Sequence, residues 1–272
     1  MTYAYSTTAF FNVSLARLLS LHTRGCSVLY RSRWGGKKGF PFHPGEKLTF
    51  QAKWGFITAG SATLEVLPMT TINGVKTHHF VMETETNPYI DAFYKIRERQ
   101  DSFTDSTMKR SILYKKRSEG NHPRDVVVQF DVGKNEASYV NFGKKMAPVK
   151  IFPGTFDPLS LFFILRLYDL KENMEIEIPI TDGKKMILAK AKISKKQKLV
   201  IAGNEYDTYL VEPEMESLGS VFKERENARL AIWFTADEKK IPVKIISRVG
   251  IGVFVFELTA VQYQVDTDSG KK

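Results

Sequence analysis

Strict alternation of apolar and polar residues is the feature that most limits how this chain can fold. In residues 45–66, GEKLTFQAKWGFITAGSATLEV, Leu48, Phe50, Ala52 and Trp54 alternate with Thr49, Gln51 and Lys53. After a bend at Gly55, Ala62, Leu64 and Val66 alternate with Ser61, Thr63 and Glu65. A period of two is the signature of a strand with one buried face. The pattern recurs. Asn73-Gly74 is a hairpin turn signal, and beyond it His78, Phe80, Met82 and Thr84 share one face, with His79, Val81, Glu83 and Glu85 on the other. Further strands are expected near 94–103, 109–118, 124–131, 136–142, 173–180, 184–193, 197–202, 205–212, 228–236, 241–248 and 252–263. Many short strands at this spacing predict an all-β chain, an antiparallel barrel or strongly curved sheet. There is no internal repeat at fixed period and no low-complexity block.

One stretch breaks the pattern. TFDPLSLFFILRLYDL, residues 155–170, reads as a helix, with Asp157 placed to cap it and Pro158 at the first helical position, where a missing N–H costs nothing. It is apolar almost all round, so it is expected to be buried, plugging one opening of the curved sheet. Arg166 is its only basic residue. A buried guanidinium needs a partner. Two readings stand: a salt bridge to an acid of the sheet or to Asp169, or a bidentate grip on a ligand carboxylate or phosphate.

Charge divides the chain. Of a formal net charge of +10, residues 1–45 carry Arg17, Arg24, Arg31, Arg33, Lys37 and Lys38 with no acid, leaving only a mild excess elsewhere. That is poor support for nucleic-acid binding. The Pro- and Gly-rich stretch KKGFPFHPGEK, residues 37–47, marks a boundary. The expected division is a basic leader at 1–41, one β domain at 42–263 and a tail at 264–272. The leader's apolar run at 9–21 is interrupted by Arg17 and has no preceding cation, which makes a poor signal peptide. As an acid-free segment with Arg and Ser it also resembles a transit peptide; the simpler readings are an unfolded extension or a start assigned too far upstream. The single cysteine, Cys26, lies in the leader, so one chain forms no internal disulfide; Arg24 before it argues against lipidation there. No apolar run approaches the ~18 residues of a membrane-spanning helix.

Four stretches, GEKLTFQAKWGFITAGSATLEV, YKIRERQDSF with the later Phe130-Asp131, DPLSLFFILR and LAIWFTADEKKIPVKI, are jointly similar in order and spacing to the bacterial periplasmic domain-of-unknown-function family 3108, over roughly residues 42–262. The resemblance implies an all-β body and a periplasmic or cell-envelope location. It implies no activity.

Catalytic and metal signals are sparse. His78 and His79 are strand neighbours and point to opposite faces, and no histidine pair has a metal-ligand spacing, so no metal or cofactor is expected. Ser61 in AGSAT lacks the glycine spacing of a nucleophile elbow. VGIGVF at 249–254 reads as a turn rather than a phosphate loop. Glu83 and Glu85 share a face, yet Lys95, Arg97 and Arg99 follow. With residues 87–93 as the connection, Glu85 is expected opposite Lys95 and Glu83 opposite Arg97, an ion-pair ladder rather than a hydrolytic carboxylate pair. In GKKMILAKAKISKKQK, residues 183–198, Lys190 and Lys192 face out. That suits a solvated sheet face or an anionic membrane surface, and without stacking aromatics it does not suit nucleic acid.

The expected function is therefore that of a non-enzymatic envelope protein binding a hydrophobic or lipid-like ligand in a barrel cavity. Trp54 and Phe56 would wall the cavity, Gly55, Gly60 and the small residues around them would allow close approach, and Tyr94, Arg97 and Arg166 complete the candidate ligand-binding set. The alternatives are a scaffold or assembly protein with a filled core, then a hydrolase.

Overall fold

The structure, a computed structural model, describes residues 39–120, 123–214, 229–249 and 252–264. Cys26, and nearly all of the expected leader and tail, lie outside these residues.

The described strands are β1 (Glu46–Trp54), β2 (Ile57–Ile72), β3 (Val75–Thr86), β4 (Ile96–Asp105), β5 (Ser111–Gly120), β6 (Arg124–Asp131), β7 (Glu136–Asn141), β8 (Lys144–Lys145), β9 (Val149–Lys150), β10 (Glu175–Thr181), β11 (Met186–Ile201), β12 (Asn204–Pro213), β13 (Arg229–Thr235), β14 (Pro242–Val249) and β15 (Gly252–Tyr263). Two short helices interrupt them, α1 (Pro88–Asp91) and α2 (Ser160–Leu165). All the strands belong to one 15-stranded sheet, ordered β10 to β15, then β1 to β8, with β9 beside β7. Every strand pairing is antiparallel. The sheet is strongly curved and not closed by a strand ladder. The segment before α2 bridges its two arms: Ser111 N–H donates to the Thr155 carbonyl, and Phe156 pairs with Ile180 of β10 as an isolated parallel bridge.

Local sequence explains much of this. In β1 the residues from Glu46 to Ala52 alternate buried and half-buried, as the apolar pattern requires. Asn73 and Gly74 both take positive φ, 49° and 78°, the two left-handed positions of a tight hairpin. Gly60 has a packing reason: a Cβ there would stand 1.9 Å from the Glu85 carbonyl oxygen. The β2–β3 ladder tolerates only glycine at that point.

Three expectations need correction. The connection between β3 and β4 runs from Asn87 to Lys95, longer than assumed, because Asn87 caps a helical turn by accepting a hydrogen bond from the Ile90 N–H (3.0 Å). The register therefore moves by two: Glu85 faces Arg97, and Glu83 faces Arg99, with which it forms an ion pair at 2.7 Å. The helix expected over 155–170 spans only 160–165. Asp157 nevertheless holds its start, accepting from the N–H groups of Leu159 and Ser160 (2.9 and 3.0 Å), and Arg166 is the residue that follows it. Finally, 184–193 and 197–202 are one strand, β11, with a register shift between Ile193 and Lys196 where a break was read.

One end of the curved sheet is sealed. Phe42 packs edge-on against Phe80 and Phe163, which stack on each other at 3.7 Å, and His78 lies among Phe40, Phe42 and Phe80. Burial holds the His78 pKa below its ordinary 6.5, opposed by its backbone contact with Ser106 and by nearby Asp105, and assisted by Lys76. The unfolded chain thus takes up this proton more readily than the folded protein. Stability conferred by neutral His78 should fall as pH drops from 6.5 through the lowered folded value. Denaturant melts at about pH 7.5 and about pH 5.5 should show a smaller acid-induced loss in His78→Phe than in the parent. An equal loss in both would remove His78 from the account.

Candidate functional site

Inside the curve lies a cavity of about 150 Å³. Small residues create it. Ala62 of β2 and Ala189 and Ala191 of β11 stand at inward positions where larger side chains would fill the space. Met82, Leu161, Leu230 and Ile245 line it while remaining only half-buried. The floor is α2, through Leu161, Phe162 and Leu165; the lining then runs outward past Tyr94 to the exposed Lys95, Glu119 and Lys190. The cavity therefore points away from the sealed end, towards the end where β1 turns into β2.

Its walls differ in chemistry. Phe50, Ile176, Ile178, Val211, Ile232 and Phe256 make an apolar wall. Facing it, β4 and β5 contribute Glu98 and Ser118, with Thr84 of β3 beside them. Glu98 accepts a hydrogen bond from Gln100 Nε2 (2.6 Å), and Gln100 Oε1 accepts one from the Tyr114 hydroxyl (2.8 Å). Burial pushes the Tyr114 pKa well up, so that hydroxyl stays a donor. Lys116, 2% exposed, places its ammonium 2.8 Å from the same carboxylate, an ion pair without the direction of a good hydrogen bond. Glu98 and Lys116 are not among the residues singled out from the sequence. The signal was present: β4 carries charge on both faces, so one charge must point inward.

The floor rests on two buried polar knots. Asp157, fully buried, gathers the hydroxyls of Ser102, Ser111 and Ser160 on Oδ2 (2.7, 2.5 and 2.5 Å) in addition to the two N–H groups at Oδ1. Arg166, also fully buried, forms a bidentate ion pair with Glu46 of β1 and donates to the carbonyls of Lys239 (2.9 Å) and Pro41 (2.8 Å). Its guanidinium also lies against the Phe42 and Phe163 rings. The partner of Arg166 is thus a sheet carboxylate at the sealed end.

Of the five residues singled out from sequence, Tyr94 lines the cavity. Arg97 holds the β3–β4 connection, reaching Asp91 with both terminal nitrogens (3.1 and 2.6 Å) and the Thr86 and Ile96 carbonyls (3.0 and 2.6 Å). Trp54 is at the open end, stacked on Phe254 (6.0 Å) and packed over Gly252. Phe56 is fully exposed at the β1–β2 turn. Trp54 and Phe56 therefore stand at the rim rather than in the wall, because the hollow stops short of the end of β1 and of the turn that follows it. The outward lysines of β11 and its neighbourhood meet acids: Lys190 with Glu177, Lys192 with Glu175 and Glu214, Lys196 with Asp207, Lys198 with Glu205. Among the described residues no group of three or more His, Cys, Asp or Glu is arranged to hold a metal ion, and no helix is long and apolar enough to cross a membrane.

A strongly curved antiparallel sheet wrapped around a buried helical turn, with a lined hollow above it, defines an all-β, barrel-like protein. The chain belongs to the family described as proteins of unknown function, DUF3108, whose model matches residues 49–259. No curated protein matches it. Among solved structures, the fold is similar to a β-barrel-like protein of the domain of unknown function DUF1849 from Brucella abortus, with a TM-score of 0.50 and 9% identity, covering 80% of this chain and 97% of that one. A looser similarity, TM-score 0.30 and 10% identity over 82% of this chain and 97% of the other, is to a putative lipoprotein from Parabacteroides distasonis. The former likeness concerns fold alone.

Proposed function

We propose that this protein is a non-enzymatic binding protein of the cell envelope that holds a hydrophobic, lipid-like molecule in the hollow above α2. The observation that supports this most is that large apolar side chains, Met82, Leu161, Leu230 and Ile245, line a hollow open at one end without filling it. A scaffold acting only through its outer face has no use for such a space, and close packing would be the stable solution. A volume of about 150 Å³ suits part of one hydrocarbon chain rather than a two-chain lipid. Met82 is flexible enough to move for a longer one. Glu98, Ser118 and Thr84 give a hydroxyl- or amide-bearing head something to bond. The envelope location rests on the family resemblance.

The test is native mass spectrometry of protein purified from its own host, with solvent extraction of whatever remains bound. The expected result is a copurifying amphiphile that is lost in Ala191→Trp, a variant that puts an indole into the hollow. Ala191→Trp should retain the parent's cooperative melt. A parent that carries no amphiphile and binds no fluorescent fatty acid would leave the filled-scaffold reading in its place.

A further inference from the structure

We infer that the open end of the sheet is a lipid-surface docking rim, through which the cavity exchanges its ligand directly with a bilayer. This inference rests on the binding function proposed above. Two neighbouring connections carry it. The β1–β2 turn presents Phe56 at 107% relative exposure and Ile57 at 58%, and the β3–β4 connection presents Tyr89 and Phe93 at 83% each. The two are tied together: Asn87 donates from its side chain to the Thr58 carbonyl (2.6 Å) and from its backbone to the Ala59 carbonyl (2.9 Å). The second connection is stiffened by the Thr86–Asp91–Arg97 contacts (Thr86 hydroxyl to Asp91, 2.5 Å). Large apolar side chains held out on braced turns, rather than folded back over the adjoining hollow, are displayed.

A lipid surface is the occupant that fits. The side chains stand on two separate connections, Phe56 and Ile57 on one and Tyr89 and Phe93 on the other. Each can enter the boundary between headgroups and acyl chains independently, as aromatic and aliphatic residues do. The rim is continuous with the cavity: Tyr94, next to Phe93 in sequence, lines the hollow. A hydrocarbon chain could then pass from bilayer to cavity without crossing water, which is the costly step for such a ligand. Three cations near the rim face acids, Arg97 with Asp91 (2.6 Å), Arg99 with Glu83 (2.7 Å) and Lys53 with Glu257 (2.7 Å), which keeps electrostatic attraction small; the exposed Arg248 at the end of β14 has Arg229 across the ladder instead. Attachment should therefore depend on apolar insertion and hardly on salt or on anionic lipid.

Flotation of the full chain with phosphatidylcholine vesicles tests this, alongside binding of a monomeric fluorescent fatty acid in vesicle-free solution. The parent protein should float with the vesicles, equally well at low salt and at high salt. Phe56→Ser and Phe93→Ser should each weaken partitioning about 10-fold, and the double variant about 100-fold, following the transfer energy of a largely buried aromatic ring. All should bind the fatty acid as the parent does and share its melting midpoint, since both residues are exposed. If the parent binds the fatty acid but stays in the lipid-free fraction, the rim proposal fails and the cavity reading stands. If the double variant floats like the parent, attachment lies elsewhere, for instance at residues 9–21, and the rim proposal again fails. Flotation lost with salt, or dependent on added phosphatidylglycerol, would overturn the apolar mechanism. If the parent neither floats nor takes up the fatty acid, both readings fall.

Discussion

Arg166→Met should lower the stability of the ligand-free protein by about 3–5 kcal/mol, because it leaves the Glu46 carboxylate buried with its countercharge gone. Glu46 and Arg166 are both essentially sealed from solvent, so water cannot rescue either. Glu46→Gln should also be strongly destabilising, since it strands the guanidinium. The double variant Glu46→Met with Arg166→Met should recover at least half the loss, as apolar replacements of buried pairs commonly do. Full recovery is not expected, because the Lys239 and Pro41 carbonyls also lose their donor. Urea melts with equal slopes would measure all four proteins. A loss under about 1 kcal/mol in Arg166→Met would mean that the Glu46 carboxylate is stabilised by something other than Arg166.

The second large effect belongs to Asp157. Five donors converge on one carboxylate: three hydroxyls at Oδ2 and two backbone N–H groups at Oδ1. In Asp157→Ala the hydroxyls can re-pair, since Ser160 already lies 2.8 Å from Ser102 and 3.2 Å from Ser111. The N–H groups of Leu159 and Ser160 cannot. Each orphaned buried donor costs about 1–3 kcal/mol, so a total loss of about 3–5 kcal/mol is expected, including the start of α2. Asp157→Asn retains an oxygen for those two N–H groups and should lose only about 1–2 kcal/mol. Equal losses in the two variants would show that the serine hydroxyls, not the helix start, carry the energy.

Much of this was legible in the sequence, and the exceptions have physical causes. Strand positions followed from alternation because burial on one face forces a period of two. Asn73-Gly74 named its turn because few other pairs accept two positive φ values. The Arg166 partner was legible too: Glu46 shares the inward phase of Leu48 and Phe50, and an acid in that phase needs a cation. The register of β4 was not legible, since the helical turn that Asn87 caps lengthens the connection by two residues that no periodicity announces. Nor was the rim. Trp54 keeps the inward phase of β1, but phase reports a face of the sheet and not how far along it the hollow extends.

The first and last described strands, β1 and β15, are hydrogen-bonded neighbours, from Glu46 opposite Tyr263 to Trp54 opposite Phe254. During synthesis the outer edge of β1 therefore stays bare until β15 has emerged. Contacts joining the two ends of a chain make folding slow, and a bare edge invites pairing with other chains. Strands β2 to β8 can assemble early as successive hairpins, whereas the seam at β1 closes last. A ribosome-stalled chain ending before Gly252 should thus be the aggregation-prone species, and it is the one a holding chaperone would need to recognise.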